Sequence, residues 1–219
     1  MKNKCHVVIF LPLLFWLCTG FLVHAQDVDG GATQYLNELS AKYLSLSSLK
    51  IQFSFHAEKD KQILQNYKGT VFFAGDRFHL NMPEMVLKCD GKTLWNYQKE
   101  TNELSIFDYD ADEQAFLNPV KLLNQWQNSY RAKWIKETTE NGKNNIIIDI
   151  TPKQSQTFYK IRLFIDKTKK DIVKCAIYEK DNTIFTYNFD KMQVNLEIPS
   201  GEFLVDLKQY PGATINDMR

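Results

Sequence analysis

The side chains best able to do acid–base, nucleophilic or metal chemistry are few and scattered in this sequence. Beyond residue 25 there are two histidines, His56 and His79, and two cysteines, Cys89 and Cys175. None of them has a neighbour at the spacing of a metal site or of a catalytic pair. The sequence has no Gly-x-Ser-x-Gly motif and no glycine-rich phosphate loop. We therefore expect no catalytic residue, no metal and no cofactor, and a protein that works by binding and is not an enzyme.

Two further groups of residues have plain structural interpretations. The stretch from Asp108 to Glu113 alternates carboxylates as a calcium loop does. It lacks the glycine and the distal glutamate of such a loop, so we interpret it as a solvated acidic turn. Cys89 and Cys175 could form a disulfide in an oxidising compartment. Because they lie on separate predicted strands, two small buried side chains are an equally good interpretation.

Residues 1–25 have the pattern of a secretory signal peptide. Lys2 and Lys4 precede an apolar run without charge, Val7 to Val23, and Val23-His24-Ala25 places small residues at the −3 and −1 positions. We expect cleavage after Ala25. The alternative is an uncleaved membrane anchor, for which a run of 17 residues is short.

Charge excludes some classes of partner. Cleavage would remove two lysines and no acidic residue, which leaves 25 basic against 26 acidic residues and a net charge near −1. We therefore expect neither nucleic acid nor a strongly anionic membrane surface as a partner.

The elements that must position any binding site are mostly strands. Asp90-Gly91 predicts a tight hairpin turn, because glycine readily adopts positive φ. Residues of alternating character flank it on both sides: Met85, Leu87 and Cys89 before the turn, and Thr93, Trp95 and Tyr97 after it. Similar patterns predict about eleven strands in all, the last at Glu202 to Leu207.

Two helices are predicted beside the strands. The first follows a mobile leader, Gln26 to Gly31, with Thr33 as its N-cap. The second begins near Pro119, which suits the first turn of a helix. Their apolar faces are expected to cover the sheet. These faces consist of Leu36, Leu39 and Tyr43 in the first helix and Leu122, Leu123 and Trp126 in the second.

Together these elements predict an α+β fold with one domain over residues 26–219. An antiparallel sheet of that size tends to curl, so we expect an incomplete half-barrel whose concave apolar face is covered by two or three short helices. The same alternation is typical of a plain packed core, and a ligand cavity is the alternative. The residues expected on the concave face are Ile51, Phe53, Phe55, Val71, Phe73, Phe78, Leu80, Met82, Leu87 and Trp95.

Several stretches resemble one known family. The run from Cys89 to Tyr97 is similar to the "sDGktlWxY" hairpin of the LolA family, the periplasmic carriers of outer-membrane lipoproteins. Four further stretches agree in the right order and extend the resemblance over nearly the whole chain after residue 25. They are Leu44 to Phe53, Leu117 to Trp126, the Thr-Pro-Lys strand end in Ile148 to Lys153, and the tail from Phe203 to Arg219.

The resemblance implies a monomeric periplasmic chaperone that binds the acyl chains of lipoproteins. Its implied partners are the acylated lipoproteins, an inner-membrane transporter that releases them and an outer-membrane acceptor. The concave residues named above would line the acyl-chain cavity, and the two helices would act as lids. The chain departs from the family at Ala74-Gly75-Asp76, where a basic residue linked to lid closure and a proline are common; Arg77 lies close by.

Two alternatives stay open beside the carrier. One is a lipid-binding or lipoprotein-sensing regulator with the same half-barrel, which usually has a further domain or an anchor. The other is a related outer-membrane receptor, which would need a lipid-modified cysteine at the start of the mature chain. Co-purification of acylated lipoproteins would favour the carrier, and a single signalling partner would favour the regulator.

Overall fold

The computed structural model describes residues 29–110, 123, 126–140 and 142–219. Leu122 and Pro119 of the second predicted helix, the predicted signal peptide and part of the acidic turn lie outside these residues. The elements are α1 (Gly30–Leu44), β1 (Leu49–Lys59), β2 (Gln62–Ala74), β3 (Arg77–Asn81), β4 (Met85–Cys89), β5 (Thr93–Gln98), β6 (Glu103–Asp108), β7 (Tyr130–Glu140), β8 (Lys143–Pro152), β9 (Phe158–Asp166), β10 (Asp171–Glu179), β11 (Thr183–Val194) and β12 (Thr214–Asp217). Residues 123 and 126–129 are also helical, and we call them the middle helical segment.

The strands form one sheet of twelve, in the order β12-β6-β5-β4-β3-β2-β1-β11-β10-β9-β8-β7. Neighbouring strands are antiparallel, except that β12 runs parallel to β6. The sheet curls but does not close, so β12 and β7 are its two edges. The predicted fold class, an α+β half-barrel, is confirmed.

Local sequence explains most of the turns. Between β1 and β2, Asp60 and Lys61 both have positive φ, at 50° and 68°, as a two-residue hairpin turn requires. Between β4 and β5 the turn is wider than the predicted tight one. There the side chain of Asp90 accepts hydrogen bonds from the backbone N–H groups of Lys92 and Thr93, at 2.9 and 2.8 Å.

Helix α1 begins earlier than the sequence pattern predicts. Asp29, and not Thr33, is its N-cap, and Oδ1 of Asp29 accepts from the N–H of Ala32 at 3.2 Å. The other carboxylate oxygen, Oδ2, accepts from the N–H of Trp134 in β7 at 2.6 Å. This contact fixes the start of the helix from a distant strand, so Gly30 and Gly31 form its first turn and are not part of a leader.

The end of the chain also differs from the prediction. Glu202 to Leu207 is not a strand: 3-10 turns occupy Ser200–Phe203 and Leu207–Gln209 instead. The last strand is β12, which the alternation did not predict. Residues 199–213, here called the C-terminal segment, cross the convex face of the sheet before β12 pairs with β6.

Candidate functional site

The concave face of the sheet carries one continuous apolar cluster, and nine of the ten residues predicted to line it belong to it. Six of the nine are buried: Ile51, Phe53, Phe55, Phe73, Phe78 and Leu87. The other three, Val71, Leu80 and Met82, are half-buried against the cluster. The predicted helix residues Leu36, Leu39, Tyr43, Leu123 and Trp126 are buried in the same cluster. The structure therefore brings the concave apolar surface, which we call the trough, into contact with the described residues of the predicted lid helices.

Trp95 was placed on the wrong face. Cys89 pairs with Leu94 across the β4–β5 hairpin, and Leu94 belongs to the concave cluster. Trp95 pairs with Lys88 and faces the convex side. Four residues lie between Cys89 and its partner Leu94. Trp95 would share the face of Cys89 only if an odd number of residues lay between Cys89 and its partner in β5, because a shift of one residue turns every side chain of a strand to the other face.

One half of the concave face is sealed, and we call it the covered half. It consists of the inward residues of β8, of β9 from Ile161 to Ile165, and of Ile172 at the start of β10, on the side where α1 lies. Its side chains are mostly isoleucine and almost inaccessible. They include Ile146, Ile148, Ile150, Ile161, Leu163, Ile165 and Ile172, each at most 5% exposed. Burial this complete is that of an ordinary protein core. Elsewhere on β7, β9 and β10 the inward side chains of Tyr130, Trp134, Phe158, Cys175 and Ile177 are half-buried.

Polar contacts fasten α1 to the covered half. Lys42 Nζ lies 2.5 Å from Oδ1 of Asp171 at the start of β10, and the hydroxyl of Tyr43 accepts from the N–H of Ile172 at 3.2 Å. Glu38 pairs with Lys170 at 2.6 Å. Burial raises the pKa of the Tyr43 hydroxyl, so this group stays neutral. With Asp29 at the other end, α1 is attached along its length and is poorly suited to move.

The middle helical segment is attached differently. Leu123 and Trp126 are 3% and 4% exposed. The polar contacts of Trp126 and Gln127 go to a single side chain of α1: Trp126 Nε1 and Gln127 Nε2 donate to Oδ1 of Asn37 at 3.2 and 2.9 Å. Lys153 donates to the carbonyl of Gln127 at 2.5 Å. Within the described residues, this segment is held to α1 at Asn37 and to Lys153, whose backbone N–H also donates to the carbonyl of Ser129 at 2.8 Å.

The other half of the concave face, formed by β2 to β6, is incompletely covered, and we call it the open half. Its inward side chains include six that are only half-buried: Tyr67, Val71, Leu80, Met82, Met85 and Phe107. Methionine is unbranched and flexible, so it adapts to ligands of different shape. An apolar surface of this kind, adjoining a packed core, can accept an apolar guest without unfolding the sheet.

Aromatic rings line the trough at the centre of the sheet. Phe55 of β1 stacks on Tyr67 of β2, with ring centroids 4.6 Å apart. Tyr187 of β11 lies 4.9 Å from the same ring, and Phe185 lies 6.0 Å from it. These three neighbours of Phe55 are half-buried. Their sequence signal is the same alternation that predicted Phe55. It continues along β2 to Tyr67 and recurs in β11, which the prediction had not assigned to the cavity.

The trough has a polar border towards β12. By register, Leu87 pairs with Asn96 and Asn96 with Ser105, so these two polar side chains share the concave face. Next to them, Gln98 pairs with Glu103, and Gln98 Nε2 donates to Oδ1 of Asn96 at 3.0 Å. The concave face therefore changes from apolar to polar within two strands.

The C-terminal segment packs on the convex side of the open half, and the sequence pattern did not predict this contact. Phe203 is 0% exposed, as is Leu104 of β6, and neither belongs to the concave cluster. The guanidinium of Arg77 lies 4.9 Å from the ring of Phe203. Arg77 therefore faces the convex side, away from the concave cluster and the helices that lie on it.

Polar contacts hold the same segment. Lys88 Nζ donates to the carbonyl of Leu204 at 3.0 Å, and Tyr210 packs edge-on against Tyr97 at 4.5 Å. Nδ1 of His79 lies 2.7 Å from Oε1 of Glu202. Burial lowers the pKa of His79, and the carboxylate of Glu202 opposes this shift. His79 is thus a partly buried contact between β3 and the C-terminal segment.

The remaining candidates for chemistry are the two cysteines: Cys89 belongs to the concave cluster and Cys175 packs against it. Cys89 and Cys175 are both free, and burial raises the pKa of their thiols to about 11 and about 12. Both therefore stay protonated and unreactive near neutral pH. Within the described ranges no group of three or more His, Cys, Asp and Glu could hold a metal ion. In the same part of the chain, no helix has the length and apolarity needed to cross a bilayer.

Comparison with known proteins agrees with this geometry. The profile of the family described as outer membrane lipoprotein carrier protein LolA matches residues 45–206. The outer-membrane lipoprotein carrier protein of Wigglesworthia glossinidia brevipalpis is 30% identical over 217 residues, which cover 94% of this chain and 95% of that one.

Two further similarities are more distant. An uncharacterized protein of Methanocaldococcus jannaschii is 20% identical over 204 residues; these cover 89% of this chain but only 57% of that relative. The crystal structure of an uncharacterized conserved protein from Thermus thermophilus superposes with a TM-score of 0.56 at 13% identity, covering 84% of this chain and 98% of that one. The structural similarity concerns the fold alone.

Proposed function

This chain belongs to the LolA family of outer membrane lipoprotein carrier proteins, and we propose that it carries lipoproteins by holding their acyl chains in the trough. The proposed route begins at a transporter that releases lipoproteins from the inner membrane and ends at an outer-membrane acceptor. The proposed compartment is the periplasm, reached through the signal peptide predicted at residues 1–25. The protein would act as a monomer and by binding alone.

The observation that carries this proposal is the open half of the concave face. Six apolar side chains are only half-buried there, directly beside a sealed core. Leaving them partly exposed costs stability, because each apolar side chain gains free energy when it is removed from water. Their accessibility is explained if the same surface is filled by a ligand during part of the working cycle.

The energy of acyl-chain burial shows why such a surface is needed. Burying one CH₂ group contributes about 0.8 kcal/mol, so two long chains with roughly 30 CH₂ groups hold a lipoprotein in a bilayer by on the order of 20 kcal/mol. A lipoprotein does not leave a bilayer spontaneously against that free energy. A carrier must return most of it through its own apolar surface and must still release the chains. Half-buried aromatic and methionine side chains on the concave face suit both requirements.

The two helices would have different parts in loading. Because α1 is fastened to β7 and β10 by Asp29, Glu38, Lys42 and Tyr43, we propose that it stays fixed. The described hydrogen bonds of the middle helical segment reach Asn37 of α1 and Lys153 after β8, and none of the described ion pairs that fasten α1 includes it, so we propose that this segment moves away. Its displacement would uncover Leu123 and Trp126 and extend the open half into a site for the chains.

A substitution in the middle helical segment tests the proposal. Leu123→Asp places a charge on the buried side of the segment, which opposes its closure over the trough. We expect this variant to fold, because the sheet keeps its own hydrogen bonds, and to fail in capturing an acylated lipoprotein from inner-membrane vesicles. Asn128→Asp is the matched control, since it adds the same charge at an exposed position of the same segment.

Two measurements decide the result, thermal unfolding and lipoprotein capture. A Leu123→Asp protein that unfolds at room temperature would show that the segment is plain core. One that folds and carries lipoprotein normally would refute its role as a lid. Wild-type protein that captures neither an acylated lipoprotein nor its isolated acyl chains would contradict the carrier function itself.

A further inference from the structure

Part of β2 has an edge without a partner strand. β1 pairs with β2 from Gln62 to Phe73, whereas β3 pairs with it only from Thr70 to Ala74. Among the described residues, no strand is paired with the outer edge of residues 62–69. The sheet therefore has a notch in its interior, where β3 ends and β2 continues.

The direction of the free N–H groups follows from the turn. Ala74 and Arg77 flank the two-residue turn between β2 and β3, and the flanking pair of such a hairpin exchanges both of its hydrogen bonds. Along an antiparallel strand, the N–H groups point alternately to the two neighbours. Counting back from Ala74 in steps of two, the N–H groups of Lys68 and Asn66 point to the free edge. Those of Tyr67 and Gln65 point to β1.

Charge and proline, which usually prevent strand addition, are absent from most of this edge; the exceptions to an unprotected edge are Lys68 and a register shift at Leu64 opposite β1. Natural edge strands are protected by charges, by proline or by being short. The six residues from Gln62 to Tyr67 contain neither charge nor proline. Ile63 and Leu64, within this stretch, are 66% and 57% exposed. The edge is thus a ready surface for an additional extended chain.

A groove lies at the end of this edge that is nearest to β3. It has a volume of about 520 Å³ and is lined by Lys68, Gly69, Met82 and Lys99 among others. Phe53 also lines it, and a Cβ atom on Gly69 would lie only 2.5 Å from Cζ of Phe53. The glycine therefore lets the ring lie against the β2 backbone. Because Phe53 and Met82 also belong to the concave cluster, the groove borders that cluster.

We propose that the free edge of β2 binds the extended N-terminal peptide of the acylated cargo as an added strand, while its acyl chains lie in the open half. This inference rests on the proposed function and names the part of the cargo that the edge would hold. Strand addition uses main-chain hydrogen bonds, which do not depend on the sequence of the peptide. It therefore suits a carrier whose cargoes share an acylated N-terminus and differ in the sequence beyond it.

Amide hydrogen exchange on the full wild-type protein tests the inference. The probes are a synthetic dipalmitoylated peptide of about ten residues, long enough to cover the edge, the same peptide without acyl chains, and dipalmitoylglycerol. We expect the dipalmitoylated peptide to slow the exchange of the Asn66 and Lys68 amides by about tenfold or more. Dipalmitoylglycerol should occupy the trough without this effect. The amides of Gln65 and Tyr67, already bonded to β1, serve as internal references.

Displacement of a fluorescent fatty acid reports occupation of the trough independently. If the dipalmitoylated peptide displaces the probe and leaves the exchange of Asn66 and Lys68 unchanged, strand addition is wrong and the carrier function stands. If neither acylated compound displaces the probe, the carrier function fails, and the inference fails with it.

A pair of variants at Asn66 separates the backbone from the side chain. Asn66→Pro removes one outward N–H group, which an edge position tolerates, and Asn66→Ala removes only the side chain. We expect proline to weaken binding of the dipalmitoylated peptide by about tenfold and to leave binding of dipalmitoylglycerol unchanged, with alanine close to wild type. Equal affinities for all three proteins would overturn the inference. If the proline variant does not fold, the exchange measurement on the wild type decides.

Discussion

The covered half and the open half of the sheet obtain their packing from opposite sides. In the covered half, α1 packs against the concave face and buries Ile146, Ile148 and Ile150 almost completely. In the open half, the C-terminal segment packs against the convex face and buries Phe203. One half is thus stabilised from inside and the other from outside. The difference shows how a sheet can keep an accessible apolar inner face without losing the support of a core.

This comparison predicts its largest effect at Phe203. The ring is fully buried on the convex side, so Phe203→Ala should lower the free energy of unfolding by about 3–5 kcal/mol. Leu204→Ala is the control, because Leu204 is 47% exposed and its loss should change stability by less than about 0.5 kcal/mol. Urea unfolding of both variants measures the difference. Similar midpoints for the two would mean that the C-terminal segment does not support the open half.

A smaller effect on stability is expected where the two concave surfaces are compared directly. Ile148→Ala in the covered half should cost about 2–5 kcal/mol of unfolding free energy and change lipopeptide affinity by less than about twofold. Leu80→Ala in the open half should cost about 1 kcal/mol and weaken the affinity roughly tenfold. Urea unfolding and displacement of a fluorescent fatty acid provide the two readouts. Equal losses of lipopeptide affinity in both variants would contradict the assignment of acyl-chain binding to the open half.

The smallest effect concerns pH and the convex contact of the open half. The pKa of His79 is lowered from its ordinary value of 6.5, mainly by burial, against the opposing pull of Glu202 and with a smaller contribution from Lys88. Between the lowered pKa and 6.5, the unfolded chain binds more protons than the folded one, so stability rises with pH. This contribution is complete above about pH 6.5 and is lost as pH falls through the folded-state pKa.

Thermal unfolding from about pH 8 to about pH 5 checks this sign. His79→Gln removes the titrating group, so its stability should depend less steeply on pH in that window than that of the wild type. Identical slopes for the two proteins would mean that the pKa of His79 does not change when the contact between β3 and the C-terminal segment forms.

Much of the inner surface could be predicted from the sequence, because alternation of apolar residues has a direct physical meaning in a strand. Phe53, Phe78 and Leu80 were placed correctly since one face of each strand is apolar and the other polar. Trp95 was misplaced because both faces of β5 are apolar: Leu94 faces the trough, while Trp95 and Tyr97 face the convex side. The pattern alone does not choose between them.

The convex support of the open half could not be predicted in the same way. The burial of Phe203 depends on β3, more than a hundred residues earlier in the chain, and a 3-10 turn has no alternation to detect. β12 pairs in parallel with β6 over four residues only, which is too short for a periodic signal. The start of α1 at Asp29 likewise depends on the N–H of Trp134, a contact between residues 105 positions apart.

The most direct test of the central claim is a methyl NMR titration of the wild-type protein with the dipalmitoylated peptide. Met82 and Met85 report on the open half, and Ile165 and Ile172 report on the covered half. If the open half holds the acyl chains, the two methionine methyl signals shift as the peptide is added, and the two isoleucine signals stay in place. Shifts confined to Ile165 and Ile172, with Met82 and Met85 unchanged at saturating peptide, would contradict the account.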